Sequence, residues 1–102
     1  MASTQPNRLT IYEAGDSLLR LVGEIDVMTA PELARYLDND QRIRVLDMAQ
    51  VTFMDSSGLK VLVLANRSRE ASDRITLRAP SAAVRRVVDI SGMAEWLGLA
   101  PE

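Results

Sequence analysis

The chain has 102 residues, a net charge of −2 from 12 basic and 14 acidic side chains, and neither cysteine nor histidine. That is the size of one domain. It excludes disulfides, thiolate metal sites, cysteine nucleophiles and the commonest general base. Charges of both signs are interspersed without a basic stripe or an aromatic stacking platform, so no nucleic-acid partner is expected.

Trp96, Tyr12, Tyr36 and Phe53 are the only aromatic residues, and the core must be built from Leu, Val, Ile, Met and Ala. The longest apolar run, Val61 to Ala65, is far too short to span a bilayer. The opening residues MASTQPNR lack the apolar stretch of a signal peptide. A soluble, cytoplasmic domain is the default expectation, with no membrane partner, metal or cofactor expected. Residues 1–8 are polar and are expected to be flexible, leaving a single domain over residues 9–99.

Leu9–Tyr12 and Ser17–Val22 are short apolar runs separated by Glu13-Ala14-Gly15-Asp16, which reads as a β-hairpin. Gly23-Glu24-Ile25-Asp26 leads out of it. Thr29 precedes Ala30-Pro31-Glu32, and proline in a first helical turn sacrifices no hydrogen bond. The helix that follows puts Leu33, Ala34 and Leu37 on one face and ends in Asp38-Asn39-Asp40.

Ile43–Ala49 reads as a central strand running into Val51-Thr52-Phe53-Met54-Asp55. From Ser57 the pattern turns helical, with Leu59, Leu62, Val63 and Asn66 on one face, and polarity returns at Arg67-Ser68-Arg69-Glu70. Val61 and Leu64 lie off that stripe, as expected of a helix packed on both the sheet and a neighbouring helix, with a partner-binding patch as the alternative. Arg74–Arg78 alternates as a strand. Ser81 caps a helix carrying Val84, Val87 and Val88, which Ser91-Gly92 closes. Met93–Leu97 is expected as a last short helix before Gly98. The order β-β-α-β-α-β-α-α implies an α/β domain, with a mixed sheet of four to five strands and helices packed against it.

The stretch Asp55-Ser56-Ser57-Gly58 sits where a strand gives way to a helix, and three readings compete for it. All three oxygen-bearing side chains are suited to capping the helix. Ser57-Gly58-Leu59-Lys60 also fits S-x-x-K, in which lysine activates serine. The companion motifs of such enzymes are absent, and so is the glycine that a nucleophile elbow needs before its serine. The third reading is a phosphorylation switch: a phosphate on a serine here meets free N–H groups and the positive end of the helix dipole. Asn66-Arg67-Ser68 matches a glycosylation sequon by chance, Arg85-Arg86 reads as a solvated face, and Asp47 reads as structural.

Phe53-Met54-Asp55-Ser56-Ser57-Gly58-Leu59 resembles the phosphoacceptor motif of STAS domains, in particular the anti-sigma factor antagonists. Gly23-Glu24-Ile25-Asp26 with Thr29-Ala30 is similar to the family's G-E-[LI]-D…T-A segment. Ala79-Pro80-Ser81, Val84 and Ile90-Ser91-Gly92 resemble its third-helix segment. The resemblance implies a STAS fold and a protein that is itself no enzyme.

Such a domain binds an anti-sigma factor that is a serine kinase of the GHKL type, releasing a sigma factor. Phosphorylation switches it off, and a PP2C-type phosphatase resets it. By that resemblance the phosphoacceptor is Ser56, with Ser57 as second choice. Asp26, Asp55, Ser56, Ser57, Gly58 and Lys60 are then the partner-binding residues. Lys60 stands where many relatives carry glycine, and Ala71-Ser72-Asp73 replaces their Gly-Gly pair. Asp26 reads equally well, from its own position, as a turn or cap residue before Thr29. The alternative function is a STAS subunit of a lipid-transport ATPase complex or of a stress-signalling scaffold.

Overall fold

The computed structural model describes residues 8–99. Apart from Arg8, the terminus expected to be flexible lies outside the described residues. β1 (Leu9–Glu13) and β2 (Leu18–Ile25) form the expected antiparallel hairpin. β2 then runs on past Val22, because Gly23, Glu24 and Ile25 pair in parallel with Val51, Phe53 and Met54 of β3 (Val45–Met54). β4 (Thr76–Arg78) adds to the other side of β3, also in parallel, giving the order β1-β2-β3-β4. Parallel neighbours require crossovers. α1 (Ala30–Asn39) connects β2 to β3, and α2 (Ser56–Arg67) connects β3 to β4. α3 (Ala82–Ser91) follows β4 and packs against β3, while α1 and α2 pack together.

One core joins these layers. Leu19, Leu21 and Ile25 of β2 meet Leu46, Met48 and Val51 of β3, Leu33 and Leu37 of α1, Leu62 of α2, and Val84 and Val88 of α3. The buried residues of β3 do not alternate strictly: Leu46 and Met48 are two apart, but Val51 and Met54 follow at intervals of three. Two register shifts against β2 explain the spacing, each giving β3 one residue more than its partner. Such bulges return the side chains to the core after each extra residue. Asp47 stabilises the first of them by accepting the Ala49 N–H at 3.1 Å, and it pairs with Arg20 at 3.5 Å.

Two element boundaries and one buried side chain are among the departures from the sequence expectation. The strand expected from Arg74 begins at Thr76, because the Ile75 backbone is held by a side chain. Asn66 Nδ2 donates to the Ile75 carbonyl at 3.0 Å, and the Ile75 N–H donates to Asn66 Oδ1 at 2.7 Å. The expected last helix is a single 3-10 turn, Glu95–Leu97, stopped by Gly98 in the left-handed region (φ +80°). Arg69, which reads as a return to polar surface, is buried.

The Arg69 guanidinium donates to the carbonyls of Leu37 at 3.4 Å, Gln41 at 3.4 Å and Asp73 at 3.1 Å, and also to that of Ile43. It thereby ties the ends of α1 and α2 to the start of β3, and burial lowers its pKa from the usual arginine value. The Arg74 guanidinium stacks on Trp96, 5.1 Å from the ring centre, and fastens the 3-10 turn.

Asn66→Ala removes both bonds to a buried backbone unit and is expected to cost about 1–3 kcal/mol. A lower midpoint in urea with an unchanged slope is the expected result.

Candidate functional site

β2 and β3 are parallel and end together, with Ile25 opposite Met54. The loops that leave them therefore emerge side by side at the carboxyl end of the sheet, the usual ligand edge of α/β domains. The Asp55 N–H donates to the Ile25 carbonyl at 3.2 Å, carrying the strand pairing one residue beyond β3. Asp55 then caps α2: it is extended (φ −114°, ψ −170°) and its Oδ1 accepts the Ser57 N–H at 2.8 Å. Of the three oxygen-bearing residues expected to cap this helix, Asp55 alone does so among the described residues. Ser56, the first residue of α2, is exposed, and Ser57 is half-buried.

Gly58 has a packing reason. A Cβ there would lie 2.7 Å from Ile25 Cγ2 and 2.7 Å from Met54 Cγ, closer than side chains tolerate. Its absence lets the first turn of α2 sit directly on the ends of β2 and β3. Lys60 is exposed, four residues after Ser56 and on the same helix face. No hydrogen bond joins Ser57 to Lys60 among the described residues.

The neighbouring loop is built around Asp26, whose side chain is only 9% exposed. Its Oδ1 accepts the N–H groups of Met28 at 2.9 Å and Thr29 at 3.1 Å, an Asx turn that reverses the chain before α1. Thr29 completes the turn: its hydroxyl accepts the Asp26 N–H at 2.9 Å and donates to the Glu24 carbonyl at 2.8 Å. The other carboxylate oxygen, Oδ2, is held by Arg8. With the backbone groups so engaged, the loop presents Val27 (68% exposed) and Met28 (74%) outward.

Phe53 is also exposed, for a reason lying in β3: the second bulge falls between Val51 and Phe53 and leaves Thr52 and Phe53 outside the core. Beside it, Met54, Ala82, Ala83, Arg86 and Val87 line an open groove of about 330 Å³. The start of α3 reaches this edge because the Ser81 hydroxyl donates to the Val51 carbonyl at 2.5 Å while capping the Val84 N–H at 3.3 Å. Val27, Met28 and Arg8 carry no motif, and Phe53 opens the motif around Asp55-Ser56-Ser57-Gly58 without being singled out as a surface residue. The one signal for Val27, Met28 and Phe53 as surface is apolar residues beside the strand ends, which sequence alone does not distinguish from core.

Among the described residues, no group of histidine, cysteine, aspartate or glutamate is arranged to hold a metal ion. No helix among them is long and apolar enough to cross a membrane. The sequon asparagine, Asn66, is buried inside a helix and engaged with Ile75.

Fold and site together define a small α/β domain that offers a serine-bearing helix start beside exposed apolar side chains. The STAS domain family matches residues 8–102, and the chain belongs to that family. The anti-sigma-B factor antagonist of Listeria monocytogenes is 31% identical over 80 residues, covering 74% of this chain and 70% of that protein. An anti-sigma factor antagonist from Mycobacterium paratuberculosis has a crystal structure that superposes with a TM-score of 0.77. It is 27% identical, over 96% of this chain and 90% of that one. The anti-sigma factor antagonist SpoIIAA in its unphosphorylated form shares the fold at a TM-score of 0.68 and 24% identity, over 92% of this chain and 89% of that one.

Two substitutions test the local construction. Gly58→Ala forces a methyl group against Ile25 and Met54 and is expected to cost about 1–3 kcal/mol. Asp55→Ala removes the cap and is expected to cost roughly 0.5–2 kcal/mol. Denaturant unfolding of each variant measures the change.

Proposed function

We propose that this domain is an anti-sigma factor antagonist whose binding to an anti-sigma factor serine kinase is switched off by phosphorylation of Ser56. Family membership and the antagonists among its relatives support the class of function. The observation that carries the residue assignment is the position of Ser56: exposed, first in α2, and at the same end of the sheet as the exposed Val27, Met28 and Phe53. A kinase needs an accessible hydroxyl, whereas Ser57 is half-buried and its N–H is bonded to Asp55.

The partner is a GHKL-type kinase, a PP2C-type phosphatase reverses the reaction, and the domain is a cytoplasmic substrate and not an enzyme. Apolar contact supplies the affinity, through the exposed side chains of the loop and of β3. Asp55 and Gly58 act by setting the position of Ser56, and Asp26 by shaping the Val27–Met28 loop. Ser57 completes the first turn beneath the contact. Lys60 adds a positive charge one turn along the same face.

The switch is electrostatic. Phosphoserine brings roughly −1.5 to −2 charges and three strongly hydrated oxygens. At a helix start these are tolerated by the fold. Against a partner surface shaped for a serine hydroxyl they add repulsion and a desolvation cost.

Incubation with candidate anti-sigma kinases and ATP, followed by site mapping, is the direct test. Ser56→Ala is expected to bind the kinase like the wild type and to take up no phosphate. Ser56→Asp is expected to bind at least about tenfold more weakly, a difference of about 1.4 kcal/mol. Phosphate on Ser57 alone overturns the residue assignment. A wild-type protein that neither binds nor is modified by any such kinase overturns the antagonist reading.

A further inference from the structure

We infer that Arg8 is a positioning residue for the partner surface, and that the Gly23-Glu24-Ile25-Asp26 run is the receptor that holds it. The functional half of this inference rests on the antagonist reading above; the positioning half rests on contacts alone. Gly23 is in the left-handed region at φ +120°, and a Cβ on it would lie 2.1 Å from the Arg8 carbonyl oxygen. That oxygen instead accepts the Glu24 N–H at 2.5 Å, pinning the Arg8 backbone against the end of β2. The side chain is thereby aimed along the strand. Arg8 Nε donates to Glu24 Oε1 at 3.1 Å, and a terminal nitrogen of the guanidinium pairs with Asp26 Oδ2. The run divides the work: Gly23 makes room, Glu24 and Asp26 take the guanidinium, and Ile25 anchors the strand in the core.

An exposed ion pair would contribute little. This one differs because the Asp26 side chain is mostly buried and its other oxygen carries the Met28 and Thr29 N–H groups. Without Arg8, Oδ2 is left partly buried and unpaired, and the carboxylate gains by turning towards water. Such a turn breaks the Asx turn that fixes Val27 and Met28. The loop then samples other conformations, and an interface that uses it must bear the cost of ordering it. Lysine is an incomplete substitute, since one ammonium does not reproduce the planar fork that bridges two carboxylates.

Amide hydrogen exchange tests the positioning without any partner. In Arg8→Ala, the Met28 and Thr29 amides are expected to exchange at least about tenfold faster, with the Leu19 and Leu21 amides unchanged. Arg8→Lys is expected to fall between Arg8→Ala and the wild type. Unchanged exchange at Met28 and Thr29 overturns the inference, and so does a uniform rise across the sheet, which marks a merely structural role.

Affinity for the kinase that modifies Ser56 tests the functional half. Arg8→Ala is expected to weaken it about fivefold, and to have no further effect in an Asp26→Asn background, because both act through one loop. Faster loop exchange with wild-type affinity overturns the link to binding. If the wild type binds no kinase at all, the antagonist reading fails while the exchange result still decides the role of Arg8.

Discussion

The geometry of the candidate surface depends on the parallel pairing of β2 and β3 being carried to the last residue of each strand. Ile25 lies opposite Met54, and the Asp55 N–H extends the pairing by one more bond to the Ile25 carbonyl. Both loops therefore start from a common line. Gly58 seats the first turn of α2 on the two side chains that end the strands, with no space for a methyl group between. A loop connecting elements at an open edge is usually the mobile part of a domain. Here both connections are short and their polar groups are engaged, so Ser56 and the Val27–Met28 pair are presented by rigid supports.

Much of this could be read from the sequence, and the reasons are local. The hairpin, the proline at the start of α1, the Ser81 cap and the Gly92 stop follow from propensities acting over a few residues. β3 is harder. Its two bulges change the spacing of buried residues from two to three, so period-two alternation fails just where Phe53 is turned outward. The shortening of β4 is a long-range effect: the amide of Asn66 takes the hydrogen bonds that Ile75 would otherwise offer to a neighbouring strand. Arg69 misleads for a similar reason. It lies in a polar run, yet four carbonyls from three separate parts of the chain converge on its guanidinium.

The two glycine-containing motifs separate in the same way. Asp55-Ser56-Ser57-Gly58 announces a helix start, but residue type leaves three candidates for its cap, and only the structure places it on Asp55 rather than on either serine. The glycine answers to side chains from β2 and β3, which no local rule supplies. Gly23-Glu24-Ile25-Asp26, apart from its family resemblance, announces a turn. Its charged residues acquire a purpose once Arg8, fifteen residues or more away in sequence, is seen against them. Asp26 is thus legible as a turn residue from its own position, while the residue that keeps its carboxylate in place is not.

The capping arrangement also bears on why a phosphate at Ser56 would act on binding and leave the fold intact. Asp55 has committed one oxygen to the Ser57 N–H, so the cap does not depend on the Ser56 hydroxyl. A phosphate added there meets the positive helix end and, four residues on, the exposed Lys60, both attractive. Against these stands repulsion from Asp55. All three terms act next to water, where each amounts to about 1 kcal/mol or less and they largely offset one another. A docked partner removes the water. Under the proposed docking the same added charge would lose its hydration, and a balance close to neutral in the free domain would turn unfavourable in the complex. A helix start that needs nothing from its first serine is thus well suited to carry a switch on it.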